Sequence, residues 1–162
     1  MQVAIIGDSH IPSRETEIPE PFRERIAQAD HVLHTGDYDS EGALANVRDL
    51  APELTAVHGN MDPRLGLPET ATVELRGVEF VLTHGTGSPE GWHDRVAETV
   101  RSKADADAVG VAGHTHRIED TVHEGVRILN PGSVTGAVPA KGASMYVATV
   151  VDGELELELH EL

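Results

Sequence analysis

The run Gln2-Val3-Ala4-Ile5-Ile6, followed at once by Gly7-Asp8-Ser9-His10, decides how the chain is read. Four apolar residues in succession, three of them β-branched, describe a strand buried on both faces. Glycine stops it, and two side chains able to hold a cation follow. The same ending recurs along the sequence. The apolar stretch 31–35 stops on Gly36-Asp37, 54–58 on Gly59-Asn60, 78–83 on His84-Gly85, and 108–112 on Gly113-His114-Thr115-His116.

Helical patterns lie between these strands. Residues 9–18 form a loop, and 19–29 form a helix with Pro19 near its start and Phe22, Ile26 and Ala29 at helical spacing. Ser40 is placed to cap a second helix running to about residue 50. Pro63, Gly66 and Pro68 make 63–69 a loop, and 72–76 and 78–83 flank Gly77 as a hairpin. A third helix is expected over 93–103, then strands over 118–123, 126–129, 143–151 and 154–160. In the last, Leu155, Leu157 and Leu159 alternate with Glu154, Glu156 and Glu158, the period of a half-exposed strand. Strand–helix alternation followed by hairpins predicts an α/β fold, a two-layered mixed β-sheet sandwich flanked by helices. With no repeat and no linker, residues 1–162 read as a single domain.

Composition narrows the function classes. The chain has 162 residues, 39% hydrophobic and 25% charged, enough for one real core. It has no cysteine, which excludes disulfides, thiolate metal sites and a cysteine nucleophile. No apolar run approaches the roughly 18 residues that cross a bilayer. The start lacks a basic region and reaches a carboxylate at Asp8, unlike a signal peptide, so a cytoplasmic protein without membrane partners is expected. Twelve basic against 28 acidic residues give a net charge of −16, and only Lys103 and Lys141 are lysines. A solvated acidic face is one reading. Adaptation to a high-salt, halophilic cytoplasm is the other and is favoured, since the Debye length falls to about 3 Å at 1 M salt. Either way, stable nucleic-acid binding is disfavoured, whereas a small phosphoester stays compatible because bound cations would reverse the local potential.

In open α/β sheets, sites form beyond the carboxyl ends of the strands. Each ending taken alone has a plainer explanation. Gly-Asp is commonly a turn closed by its own carboxylate, and a lone Asn says little. His-x-His says more, because alternate residues of an extended segment face one side. The conjunction carries the reading: five strand ends bear only oxygen and imidazole donors, and a mere turn would favour Ser or Asp over histidine.

In content and order, these five blocks resemble the calcineurin-like metallophosphoesterase superfamily, and Asn130-Pro131-Gly132-Ser133 resembles a further signature of it. The short chain, Ile11-Pro12 with Arg14, and the Pro19 helix start resemble its small archaeal and bacterial phosphodiesterase branch. The resemblance implies two divalent metal ions, one held by Asp8, His10 and His116, the other by Asn60, His84 and His114, with Asp37 bridging. Such donors suit manganese first, with nickel, iron or zinc as alternatives. The implied activity is hydrolysis of a phosphoester, a diester ahead of a monoester, by attack of a metal-bridging hydroxide. Asp37, Asn60 and His84 would lie at the chemistry. Two positions depart from the pattern. Met61 stands where the superfamily carries a histidine that assists the leaving group, which leaves Asp62 or a water as the acid. Ile11 replaces a frequent glycine and alters the lip of the loop. The alternative is a non-catalytic protein-interaction scaffold of the same fold, separated from an enzyme by completeness of the ligand set. A homo-oligomer is in keeping with the branch.

Other residues carry double readings. Asp62 could orient a histidine or cap a turn before Pro63. Arg14 and Arg64 could hold a phosphate, or pair with surface acids. His31 lies in the second strand, His34 could support Asp37 or fill a core position, the latter favoured, and His58 suits a core position ahead of an active-site role; Trp92 and His93 suit a pocket wall or subunit contact, and His123 and His160 the surface of a strand.

Overall fold

The computed structural model describes residues 1–105 and 107–162. Among the described residues, the elements run β1 (Gln2–Ile6), α1 (Glu20–Gln28), β2 (His31–His34), α2 (Glu41–Leu50), β3 (Leu54–Ala56), β4 (Thr70–Leu75) and β5 (Val78–Thr83). They continue with α3 (Trp92–Lys103), β6 (Val109–Val111), β7 (Ile118–His123), β8 (Val126–Pro131), β9 (Ser144–Val151) and β10 (Glu154–Glu161). The strands form two sheets, ordered β10-β9-β1-β2-β3 and β4-β5-β6-β8-β7. In the first, β1, β2 and β3 are parallel, and β9 joins β1 antiparallel. In the second, β5, β6 and β8 are parallel between antiparallel edges β4 and β7.

The doubly apolar β1 explains the layering. Val3 and Ile5 pack with Leu33 against Phe80, Leu82, Val111 and Leu129 of the second sheet. Ala4 and Ile6 face the other way, onto Phe22 and Ile26 of α1 and Val47 of α2. Trp92, Val96 and Val100 of α3 cover Val81 and Ile128 on the outer face of the second sheet. Each fully buried Ile or Phe contributes roughly 1.5–3 kcal/mol to holding the layers together. The result is the mixed two-sheet sandwich flanked by helices that the sequence predicts.

Several boundaries differ from the sequence reading. β3 ends at Ala56: the Val57 N–H still donates to the His34 carbonyl at the end of β2, but the His58 N–H turns to the Pro68 carbonyl. β8 runs on to Pro131, which sits at the end of the strand, where its missing N–H costs least. β7 has an inverted pattern. Its Ile118 and Val122 are exposed, while Glu119 and His123 bond the polar start of α3 through His93 and Asp94. Among the described residues no helix is long and apolar enough to cross a membrane.

Candidate metal centre

The loops that leave β1, β2 and β3 of one sheet meet those that leave β5 and β6 of the other. The first set carries Asp8, His10, Asp37 and Asn60, the second His84, His114 and His116. Backbone bonds tie the loops together: Asp8 N–H to the Gly36 carbonyl, His10 N–H to the Asp37 carbonyl and Gly113 N–H to the His84 carbonyl. The backbone is unusual here. Asp8, His10, Asp37, Asp39, His114 and His116 all have positive φ, between 48° and 77°. Few residues other than glycine adopt that region, and a cluster of them marks a place where the surroundings enforce strain. Gly59 meets a steric demand: a Cβ there would collide with the Asp37 carboxylate and main-chain nitrogen.

All seven side chains converge. His10 Nε2 lies 3.2 Å from His116 Nε2, and 3.9 Å and 3.5 Å from carboxylate oxygens of Asp8 and Asp37. His84 Nε2 lies 3.1 Å from Asp37 Oδ2, and His116 Nε2 3.6 Å from Asp8 Oδ1. His114 Nδ1 faces the Asn60 side-chain oxygen at 3.0 Å. Donor atoms of Asp8, His10 and His116 all fall within 4.8 Å of one another, as do those of Asp37, His84 and His114.

The hydrogen bonds pointing away from the centre fix what points into it. His10 Nδ1–H donates to Asp39 at 3.0 Å, His84 Nδ1–H to the Thr35 carbonyl at 2.7 Å, and His116 Nδ1–H to the Ala137 carbonyl at 2.8 Å. His114 Nε2–H donates to the Gly87 carbonyl at 2.8 Å. When neutral, each ring thus aims a lone pair inward, at other acceptors. Asp8 Oδ1 is buried there without any donor, and so is His84 Nε2. Lone pairs facing one another at about 3 Å repel unless a proton or a metal ion lies between them, and this set of imidazole and oxygen donors fits divalent metal ions.

The electrostatics of the chain alone agree. Burial pushes the Asp8 carboxyl up to about 7, against the lowering effect of His84. Burial would lower His84, but its contacts with Asp37 and Asp8 win and hold it up at about 9. Burial lowers His116 to about 4, so it is neutral and ready to ligate. Metal binding must then expel a proton from Asp8 below about pH 7 and one from His84 below about pH 9. Apparent affinity should therefore rise with pH through the neutral range and level off above about 9. Competition with a chromophoric chelator across pH 6–10 measures this, and a flat profile would refute the proton count.

Four groups behave differently from the sequence reading, or were missed by it. Asp39 orients His10, and only the Asp37-x-Asp39 spacing hinted at it. Asp62, a candidate acid, instead accepts four backbone N–H groups, from Asp37, Tyr38, Asp39 and Gly59, at 2.7–3.0 Å. With every acceptor direction filled, it clamps the strained turn, in line with the turn-capping reading and against a proton-donating one. Ser133 Oγ–H donates to the Asp8 carbonyl at 2.7 Å, which gives Asn130-Pro131-Gly132-Ser133 a buttressing role. Trp92 is fully buried, with Nε1–H on the Gly113 carbonyl at 3.0 Å; it props the His114 loop from beneath. His34 is a core residue stacked on Tyr38 at 3.9 Å, while His31 bonds Thr55. His58 lines a cavity beside Asn60 and His84. Met61 is 49% exposed at the rim, with a thioether that can donate no proton.

Comparison with known proteins gives a consistent picture. The family model for the calcineurin-like phosphoesterase superfamily domain matches residues 1–153. A probable metallophosphoesterase of Methanothermobacter thermautotrophicus is 33% identical over 156 residues, covering 95% of this chain and 88% of that protein. A Thermotoga maritima protein solved by solution NMR is 33% identical with a TM-score of 0.76, with 99% of each chain covered. Vps29 of Entamoeba histolytica, solved in complex with zinc, is 29% identical with a TM-score of 0.69, again with 99% of each chain covered.

Proposed function

The chain belongs to the calcineurin-like phosphoesterase superfamily, and on that premise we propose that it is a manganese-dependent phosphodiesterase. The observation that carries this reading is the ring of inward lone pairs on His10, His84, His114 and His116, closed by the donor-less oxygen of Asp8. Asp8, His10 and His116 would hold one cation, Asn60, His84 and His114 the other, and Asp37, between the His10 and His84 nitrogens, would be shared. When bound, the two ions supply Lewis acidity towards the phosphoryl oxygens and a nucleophilic water at neutral pH.

The residues of the chain supply the rest. Asn60 is exposed and His114 half-buried, while Asp8, Asp37 and His84 are buried, so substrate would approach from the Asn60–His114 side. His10 is held by Asp39 and the other three imidazoles by backbone carbonyls, which keeps the donors from turning during turnover. The preference for a diester rests on Met61. With a thioether at that place and Asp62 wholly engaged by backbone, neither can protonate a poor leaving group, and an ester with an undemanding leaving group is the better fit. The scaffold alternative gives no reason for a complete donor set held in strained backbone.

Protein stripped with a chelator should be inactive. Manganese, followed by nickel or zinc, should restore hydrolysis of bis(p-nitrophenyl) phosphate ahead of p-nitrophenyl phosphate. Failure of every divalent metal at molar salt would turn the reading to the scaffold. Salt adaptation carries its own expectation: with a net charge of −16, raising KCl from about 0.1 M to about 2 M relieves self-repulsion and should raise the unfolding midpoint. A midpoint that falls in a thermal melt would reject it.

A further inference from the structure

Beside the centre lies a cavity of about 580 Å³, with the ligand candidates His114 and His116 among its lining residues. The volume is in the range of roughly 300–1,000 Å³ in which small organic molecules bind. Ile118, Pro139 and Leu162 give it an apolar wall, and Arg117 and Lys141 stand exposed on its lining. These cations run against the character of the chain, which has only 12 basic residues and a net charge of −16. Three other arginines meet acid, Arg23 with Glu20, Arg101 with Glu124 and Arg127 with Asp120. Among the described residues neither Arg117 nor Lys141 has an ion-pair partner, and Glu161 is the one acidic residue lining the cavity. A third cation is close by: Arg14 donates to the carbonyl of Val138, next to Pro139, at 2.7 Å.

The cavity on the other side of the centre, about 460 Å³ beside Asn60 and His84, lacks this character. Its Arg95 already donates to the carbonyls of Gly85, Ser88 and Glu90. An anionic ligand thus has unengaged cations on one side only.

Resting on the phosphodiesterase reading, we propose that the cavity between His116 and Lys141 seats the second arm of the ester and selects a nucleotide carrying a further phosphate. A flat nucleoside lies against Ile118, Pro139 and Leu162, and its additional phosphate is held by Arg117 and Lys141. Arginine and lysine contacts to phosphate are charge-assisted and among the stronger hydrogen bonds available at a surface.

Three p-nitrophenyl phosphodiesters with the same leaving group test this on the manganese-loaded protein; their other arms are methyl, thymidine (through its 5′-oxygen) and 3′-phosphothymidine. KM should fall along that series, by about tenfold for the nucleoside and about tenfold again for the extra phosphate. Arg117→Ala with Lys141→Ala should erase the second step, and Ala140→Trp, which fills the cavity, should erase the first. Equilibrium binding of thymidine 3′,5′-bisphosphate gives a readout that needs no turnover, and the double variant should weaken it by about tenfold. Equal KM values for the three esters, or steps that survive the variants, would overturn the subsite. If no ester is cleaved while the bisphosphate binds through Arg117 and Lys141, the phosphodiesterase reading fails and the subsite stands. If the methyl ester is cleaved and the bisphosphate does not bind, the subsite fails and the phosphodiesterase reading stands.

Discussion

Asp37→Asn should abolish phosphoester hydrolysis and lower bound metal from about two equivalents to about one. The reason lies in how the side chain is held. Asp37 Oδ1 accepts the Met61 N–H at 2.8 Å, while Oδ2 lies 3.1 Å from His84 Nε2 and 3.5 Å from His10 Nε2. In the asparagine variant the Met61 N–H still needs an acceptor, so the amide oxygen takes the Oδ1 position. The NH₂ group then occupies the Oδ2 position between the two imidazoles. It has no lone pair to offer and presents hydrogens to the point where a cation would sit. The shape of the residue is kept while its ligating function is inverted, and a loss of at least about 10³-fold in kcat is expected, on the scale of removing a principal electrostatic group. Metal analysis of the purified variant is the second readout. Two equivalents retained at full occupancy would show that Asp37 is not shared between two ions.

How far this centre was legible depends on whether the signal was local. Asp8, His10, Asp37, Asn60, His84, His114 and His116 could be singled out because each follows an apolar strand beside a glycine, a pattern a few residues long. The strands themselves were legible for the same reason. Their arrangement was not: β9 inserts between β10 and β1, a pairing between residues about 145 positions apart, and no local period announces it. Asp39 was missed because two carboxylates spaced i, i+2 after a glycine also describe an ordinary turn. Trp92 was misread because an aromatic residue after a Gly/Ser/Pro loop can equally line a pocket or, as here, fill the space beneath the Gly113 loop. The early end of β3 depended on bonds to the 63–69 loop, whose path the sequence does not encode locally.

Asp62 shows most sharply how residue type can mislead, and it carries the second large effect. A carboxylate two residues after a metal-ligand candidate suggests an acid, yet its hydrogen bonds make it the keystone of the turn that bears Asp37. Its Oδ1 accepts from Tyr38 and Asp39, its Oδ2 from Asp37 and Gly59. Asp62→Ala leaves four N–H groups without that acceptor, each costing about 1–3 kcal/mol where water cannot replace it. Because Asp62 is only partly buried, water recovers some of this, and a net loss of about 3–5 kcal/mol is expected. For a chain of this size that lowers the unfolding midpoint by roughly 10 °C. Asp62→Asn discriminates between the two roles. Its amide oxygen can serve Tyr38 and Asp39, but its NH₂ then faces the N–H groups of Asp37 and Gly59, donor against donor. A clamp therefore predicts that Asn is nearly as destabilising as Ala, and that activity and metal content fall together even with p-nitrophenolate as the leaving group. A proton donor predicts the opposite: a stable Asn variant with its metal intact, near-normal turnover of the p-nitrophenyl ester, and loss of one limb of the pH–rate profile only with poor leaving groups. Thermal melts, metal analysis and the two classes of ester decide between them, and four short backbone contacts to one carboxylate favour the clamp.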